Sequence, residues 1–143
     1  MKRVIVAIDG SECALRAVRH LLAKRALYRD PDELDVHLVN VQPRLPTDVS
    51  HFFDRAELAT FHQQESDKAF QSARELLDEA GAKYTCHAEV GHVAEVIARL
   101  AESLGCDQIV MGTHGRGALA ELLVGSTTLK VVHLARIPVL LVK

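Results

Sequence analysis

Val4-Ile5-Val6-Ala7-Ile8-Asp9-Gly10-Ser11 opens the chain and decides its fold class. From Arg3 to Ile8 the run is β-branched and apolar at consecutive positions, with no polar alternation. A strand of that kind has both faces covered, as in a parallel sheet sandwiched between helices. Asp9-Gly10-Ser11 stops the strand, and Ser11 or Asp9 can cap the next helix. Ala14, Leu15, Val18, Leu21, Leu22 and Ala26 then recur at helical spacing. Asp30-Pro31-Asp32 breaks that helix.

The alternation continues. Leu34 to Val41 reads as a second strand, followed by a Pro43–Pro46 loop and irregular chain through Ser50. A long helix is expected from about Phe52 to Ala80, striped by Leu58, Phe61, Ala69, Ala73, Leu76 and Leu77 and stopped by Gly81. Lys83 to Val90 is a third strand, polar at alternate positions as near a sheet edge. Gly91-His92 opens a helix carrying Val93, Val96, Ile97, Leu100 and Leu104, and Gly105 ends it. Asp107 to Met111 is a fourth strand. Short helical pieces are expected at Leu119 to Val124 and Ser126 to His133. Pro138 to Lys143 is the fifth strand. Strand–helix alternation of this kind means a parallel sheet with helices on both faces and ligands at the carboxyl ends of the strands.

Composition narrows the function. The 143 residues suit one domain, spanning 1-143, and 48% apolar content supports a full core. A net charge of −2 and aromatic content of 4% give neither a basic surface nor a stacking platform for nucleic acid. No stretch approaches the roughly 20 apolar residues of a membrane span. Three cysteines, Cys13, Cys86 and Cys106, lack metal or disulfide spacing and read as reduced thiols in a cytoplasmic protein. The eight histidines show no helical i, i+4 pair and read as solvated or hydrogen-bonded, leaving metal ligands unassigned.

Chemistry concentrates after the fourth strand, in Met111-Gly112-Thr113-His114-Gly115-Arg116-Gly117 and Gly125-Ser126-Thr127-Thr128. Glycines at a strand end can take φ > 0 and admit a ligand close to the backbone. Gly112 and Gly115 leave N–H groups to converge on an anion. Gly125-Ser126 reads as a second cradle, with Ser126 as N-cap and the helix N-terminus facing the same pocket. His114 either touches phosphate or ribose or points to water. Asp9 either holds a ribose hydroxyl or a phosphate-bound metal, or caps the next helix. Neither a nucleophile elbow nor a Gly-x4-Gly-Lys-Ser/Thr loop is present. A base to orient an attacking water is also lacking, so binding without efficient turnover is the expectation.

The spacing Gly-x2-Gly-x9-Gly-Ser, the Val4–Ser11 opening and the Ile137–Val142 ending together resemble the universal stress protein family, in its ATP-binding branch. The resemblance implies an adenine nucleotide alpha hydrolase-like fold with strand order 3-2-1-4-5. It implies ATP as ligand, with Mg2+ or Mn2+ left open as its cation. The implied binding residues are Ala7, Ile8, Asp9 and Val41, the last through its backbone near adenine. Met111, Gly112, His114, Gly115 and Arg116 come next in the chain, then Gly125, Ser126, Thr127 and Thr128. It further implies a stress-response or signalling role and a homodimer through Val139, Leu140, Leu141 and Val142. A slow ATPase and a ligand-free dimerising module are the alternatives.

Overall fold

The computed structural model describes residues 3–27, 29–114 and 124–143. Five strands form one parallel sheet in the order 3-2-1-4-5. They are β1 (Arg3–Ala7), β2 (Asp35–Gln42), β3 (Tyr84–Val90), β4 (Gln108–Gly112) and β5 (Val139–Val142). The helices are α1 (Glu12–Arg25), α2 (Thr47–Ser50), α3 (Arg55–Glu79), α4 (Val93–Ser103) and α5 (Ser126–Leu134). The order reverses between β1 and β4, so a crevice opens above their carboxyl ends.

The unbroken apolar run of β1 does what its sequence requires. Val4, Val6 and Ile8 pack with Leu38, Phe70, Leu77 and Val110 beneath α1 and α3. Ile5 points the other way, to Val39, Ile97, Ile109 and Val131 beneath α4 and α5. Successive side chains of a strand face opposite sides, so one sheet builds two cores. No helix among the described residues is long and apolar enough to cross a membrane.

Local signals set the helix ends. Ser11, not Asp9, caps α1, its Oγ accepting the Ala14 N–H at 3.2 Å. Asp9 instead accepts the Ser11 N–H at 2.9 Å. Helix α3 starts later than its apolar stripe suggests, because Asp54 and Glu57 form a reciprocal capping box. The chain before it is not irregular throughout, since Thr47–Ser50 makes one turn of helix after Pro46. Gly81 at φ +60° ends α3, with the Ala82 N–H returning to the Leu77 carbonyl at 2.9 Å. The short helix expected over residues 119–124 falls mostly outside the described residues.

The edge strand β3 carries one arrangement that no single stretch of sequence reveals. Its His87 lies against His37 of β2, with Nε2 and Nδ1 2.8 Å apart. His37 Nε2 in turn sits 3.2 Å from the Asp35 carboxylate, an electrostatic contact that is not aligned as a hydrogen bond. Arg3 Nε donates to the same carboxylate at 2.6 Å. One ring of the histidine pair must accept for the bond to exist, so the pair cannot hold both rings charged. Burial first, then His37, lower the His87 pKa from the ordinary 6.5, with Glu89 opposing. The unfolded chain therefore binds this proton more readily, and the contribution present at neutral pH is lost as pH falls through the lowered value. Asp35 is lowered from 3.8, chiefly by its Arg3 hydrogen bond, so its contribution disappears only at more acid pH. The melting temperature should drop on acidification from about pH 7 to 5, and His87→Gln should flatten that limb. Melting curves of both proteins across that range check it; parallel curves would contradict it.

Candidate functional site

The crevice at the sheet's switch point holds a cavity of about 170 Å³. It is built from four segments. The end of β1 contributes Ala7, Ile8 and Asp9, where Gly10 at φ +81° turns the chain into α1. The end of β2 contributes Val39, Asn40 and Val41. The end of β4 contributes Met111, Gly112 and His114, and the start of α5 contributes Thr127 and Thr128. Val93 and Ile97, from the first turns of α4, and Ala14 of α1 complete the walls.

The cavity has two chemical halves. Val39, Val41, Val93, Ile97 and Met111 make an apolar slot. Asp9, Thr127, Thr128 and the N-terminus of α5 make a polar end. Val41 adds backbone groups to the slot. The Val39 carbonyl accepts from Ile8 on the β1 side, and the Gln42 carbonyl accepts from Gly91 on the β3 side. Backbone groups alternate along a parallel strand. The N–H and C=O of Val41 therefore turn toward β1, beyond the last β1–β2 pair, Ala7 with Val39.

The polar end is tied to β4. The Gly125 N–H donates to the Thr113 carbonyl at 2.7 Å, and Thr128 Oγ1 donates to the Gly112 carbonyl at 3.3 Å. Thr113 Oγ1 lies 3.0 Å from His114 Nδ1. These bonds hold the start of α5 against the strand end, where its N-terminal N–H groups give a field that favours an anion.

Nine of the residues expected at the site therefore meet: Ala7, Ile8, Asp9, Val41, Met111, Gly112, His114, Thr127 and Thr128. Gly125 and Ser126 stand just outside the cavity. Ser126 lines an adjoining groove with His92, Thr127 and Lys130. It is not the N-cap: Gly125 takes that position with φ −72°, no side chain caps the helix, and Ser126 is its first residue. Gly115 and Arg116 lie outside the described residues. Gly112 is needed for a different reason from the one its sequence suggests. Its φ is not positive, and a Cβ there would stand 2.7 Å from the backbone C and O of Cys13. The glycine lets α1 close onto β4.

Val39, Asn40, Val93, Ile97 and Ala14 are the wall residues that motif reading misses. A signal existed for three of them. Val39 shares the face of Val41 by strand alternation, and Val93 and Ile97 are the first i, i+4 apolar pair after β3, so they lie at the ligand end of the sheet. A larger hollow of about 560 Å³ lies between α2 and the start of α3, walled by Leu45, Val49, Phe53 and Phe61. The carboxylates there, Asp54 and Glu57, are engaged with each other's backbone in the capping box. Among the described residues no group of three or more His, Cys, Asp or Glu is arranged to hold a metal ion.

Comparison with known proteins gives a consistent result. A sequence model described as the universal stress protein family matches residues 1–143. The chain is 30% identical over 144 residues to universal stress protein MJ0531 of Methanocaldococcus jannaschii, covering 99% of this chain and 82% of that one. The solved structure of MJ0577 from the same organism superposes with a TM-score of 0.81 at 32% identity, covering 99% of this chain and 95% of that one. An Arabidopsis thaliana universal stress protein family structure with AMP bound has a TM-score of 0.68 at 17% identity, covering 100% and 92%.

Proposed function

The chain belongs to the universal stress protein family, and from that premise we propose that it binds an adenine nucleotide, ATP, in the switch-point crevice. The observation that carries the reading is the two-part cavity: an apolar slot bordered by the backbone edge of Val41, continuing into the start of α5. A purine fits the slot by shape and by hydrogen bonds to Val41. Asp9 accepts from the ribose hydroxyls. The Thr127 hydroxyl and the N–H groups of α5, that of Thr128 among them, meet the phosphates, joined by Gly115, Arg116, Gly125 and Ser126. Support comes from relatives of the same fold solved with nucleotides: AMP in the Arabidopsis protein, cAMP in another and dAMP in one from Archaeoglobus fulgidus. Mg2+ or Mn2+ would accompany the phosphates. The same reading treats residues 1–143 as one universal stress protein domain, cytoplasmic, acting in stress response or signalling without efficient turnover.

Calorimetric titration with ATP is the test. Micromolar affinity is expected, and Asp9→Asn, which keeps an acceptor for Ser11 but removes the charge, should weaken it about tenfold. Equal affinities would remove Asp9 from the site, and no heat from the wild type would remove the site. Phosphate release at several turnovers per second would favour the slow-ATPase alternative over a binder.

The reading includes a homodimer. β5 is an edge strand, and Val139, Leu140, Leu141 and Val142 are all partly exposed. An apolar edge needs a cover, and self-pairing across a two-fold axis supplies one. Light scattering at micromolar concentration should give twice the chain mass, and Leu141→Asp should give monomer or aggregate. A wild-type monomer independent of concentration would dismiss the dimer.

A further inference from the structure

We propose that Asn40 is a positioning residue for the ligand's base: it holds back the Ile8 carbonyl, so the backbone edge of Val41 stays open to the ligand. The inference rests on the nucleotide reading and adds how that edge is kept available.

Asn40 interrupts an apolar row. Val36 and Leu38, on the same face of β2, are buried in the core beneath α1 and α3. Asn40 comes next on that face and is only 3% exposed. A buried amide needs partners, and this one has three. Its Nδ2 donates to the Ile8 carbonyl at 2.7 Å. Its Oδ1 accepts from Ser66 Oγ at 2.9 Å and from Gln42 Nε2 at 2.8 Å. Ile8 offers only a carbonyl, so the amide nitrogen must face it, and the orientation is fixed by the network.

The carbonyl it takes is the one that would extend the sheet. The last rung between β1 and β2 is Ile8 N–H to the Val39 carbonyl at 2.8 Å. In a parallel ladder the next rung runs from the Val41 N–H to the Ile8 carbonyl. Among the described residues no backbone bond closes that rung. The Asn40 amide occupies the carbonyl from the α3 side, where Ser66 Oγ is one of two donors to its oxygen, the other being Gln42 Nε2. The Val41 N–H and C=O then border the apolar slot without being spent on β1. A leucine in place of Asn40 would extend the apolar row and free the Ile8 carbonyl to capture the Val41 N–H. The slot would keep its walls and lose its hydrogen-bonding edge.

The experiment compares wild type, Ser66→Ala, and the double variant Asn40→Leu with Ser66→Ala, which leaves no orphaned hydroxyl. Asn40→Thr is a second route, retaining a hydroxyl for Ser66 but too short for Ile8. Amide exchange of Val41, measured by NMR in ligand-free protein, should slow about tenfold in the double variant and in Asn40→Thr, as a newly closed rung would. It should not change in Ser66→Ala. Unchanged exchange at Val4 and Val6 verifies the fold. ATP affinity should fall about tenfold in both Asn40 variants, while affinity for inorganic tripolyphosphate stays within about twofold. Equal Val41 exchange in all proteins, or equal loss of ATP and tripolyphosphate, would overturn the role of Asn40 while leaving the nucleotide site standing. A wild type that binds no adenine nucleotide would overturn the site, and the base-positioning role with it, whatever Val41 does.

Discussion

Gly112→Ala is expected to destabilise the protein by about 1–3 kcal/mol, lowering the melting temperature by about 3–10 °C. The added methyl would stand 2.7 Å from the Cys13 backbone C and O and 2.8 Å from its Cβ. Backbone atoms in the first turn of a capped helix cannot rotate away as a side-chain tip can. Either α1 lifts from the sheet or the end of β4 shifts. Both border the cavity, and the Gly112 carbonyl also receives Thr128 Oγ1. ATP affinity should therefore fall together with stability. Thermal melts and calorimetry on one preparation check it. A variant as stable as wild type would mean that α1 yields freely, contrary to the packing described.

Phe70→Ala should cost more, about 3–5 kcal/mol. Phe70 is the largest fully buried side chain among the described residues and joins α3 to the sheet beside Leu38 and Leu77. The Arg74 guanidinium lies 5.1 Å from its ring centroid. Removing the ring deletes apolar burial and leaves a cavity that the sheet cannot collapse to fill. Against a typical total of about 5–15 kcal/mol, one such change consumes a large share. The contrast sits on the same helix. Phe61 is 42% exposed, and Phe61→Ala should stay within about 0.5 kcal/mol. Denaturant midpoints of the two variants separate the cases, and equal shifts would contradict the assignment of the core to the later turns of α3.

The parts of this fold that were legible are those set by local chemistry. The β1 run, the polar alternation of β3 and the glycine stops at Gly81 and Gly105 each state their structure within a few residues. The capping box at Asp54 and Glu57 is just as local, but the apolar stripe masks it and draws the expected helix start to Phe52. The family resemblance supplied the strand order, which local patterning leaves open between two arrangements. What stayed hidden depends on register. His37 and His87 meet only because β2 and β3 pair as they do, and Asn40 reaches Ile8 only where β1 has ended. Gly112 was legible as important but not for its reason, because Cys13 approaches it from a different part of the chain.

The strand order also has a consequence for how the protein is made. β1 is the middle strand, synthesised first, and it lies between β2 and β4. Its partners on one side begin at Asp35, but on the other Val4 meets Gln108. At about 5–20 residues per second the ribosome needs on the order of ten seconds to deliver β4 after β1. During that interval β1, β2 and β3 can pair while one flank of β1 stands bare, an apolar strand open to any extended chain nearby. The emerging protein thus passes through a stage in which its central strand is still an open edge, and aggregation competes with folding until β4 arrives.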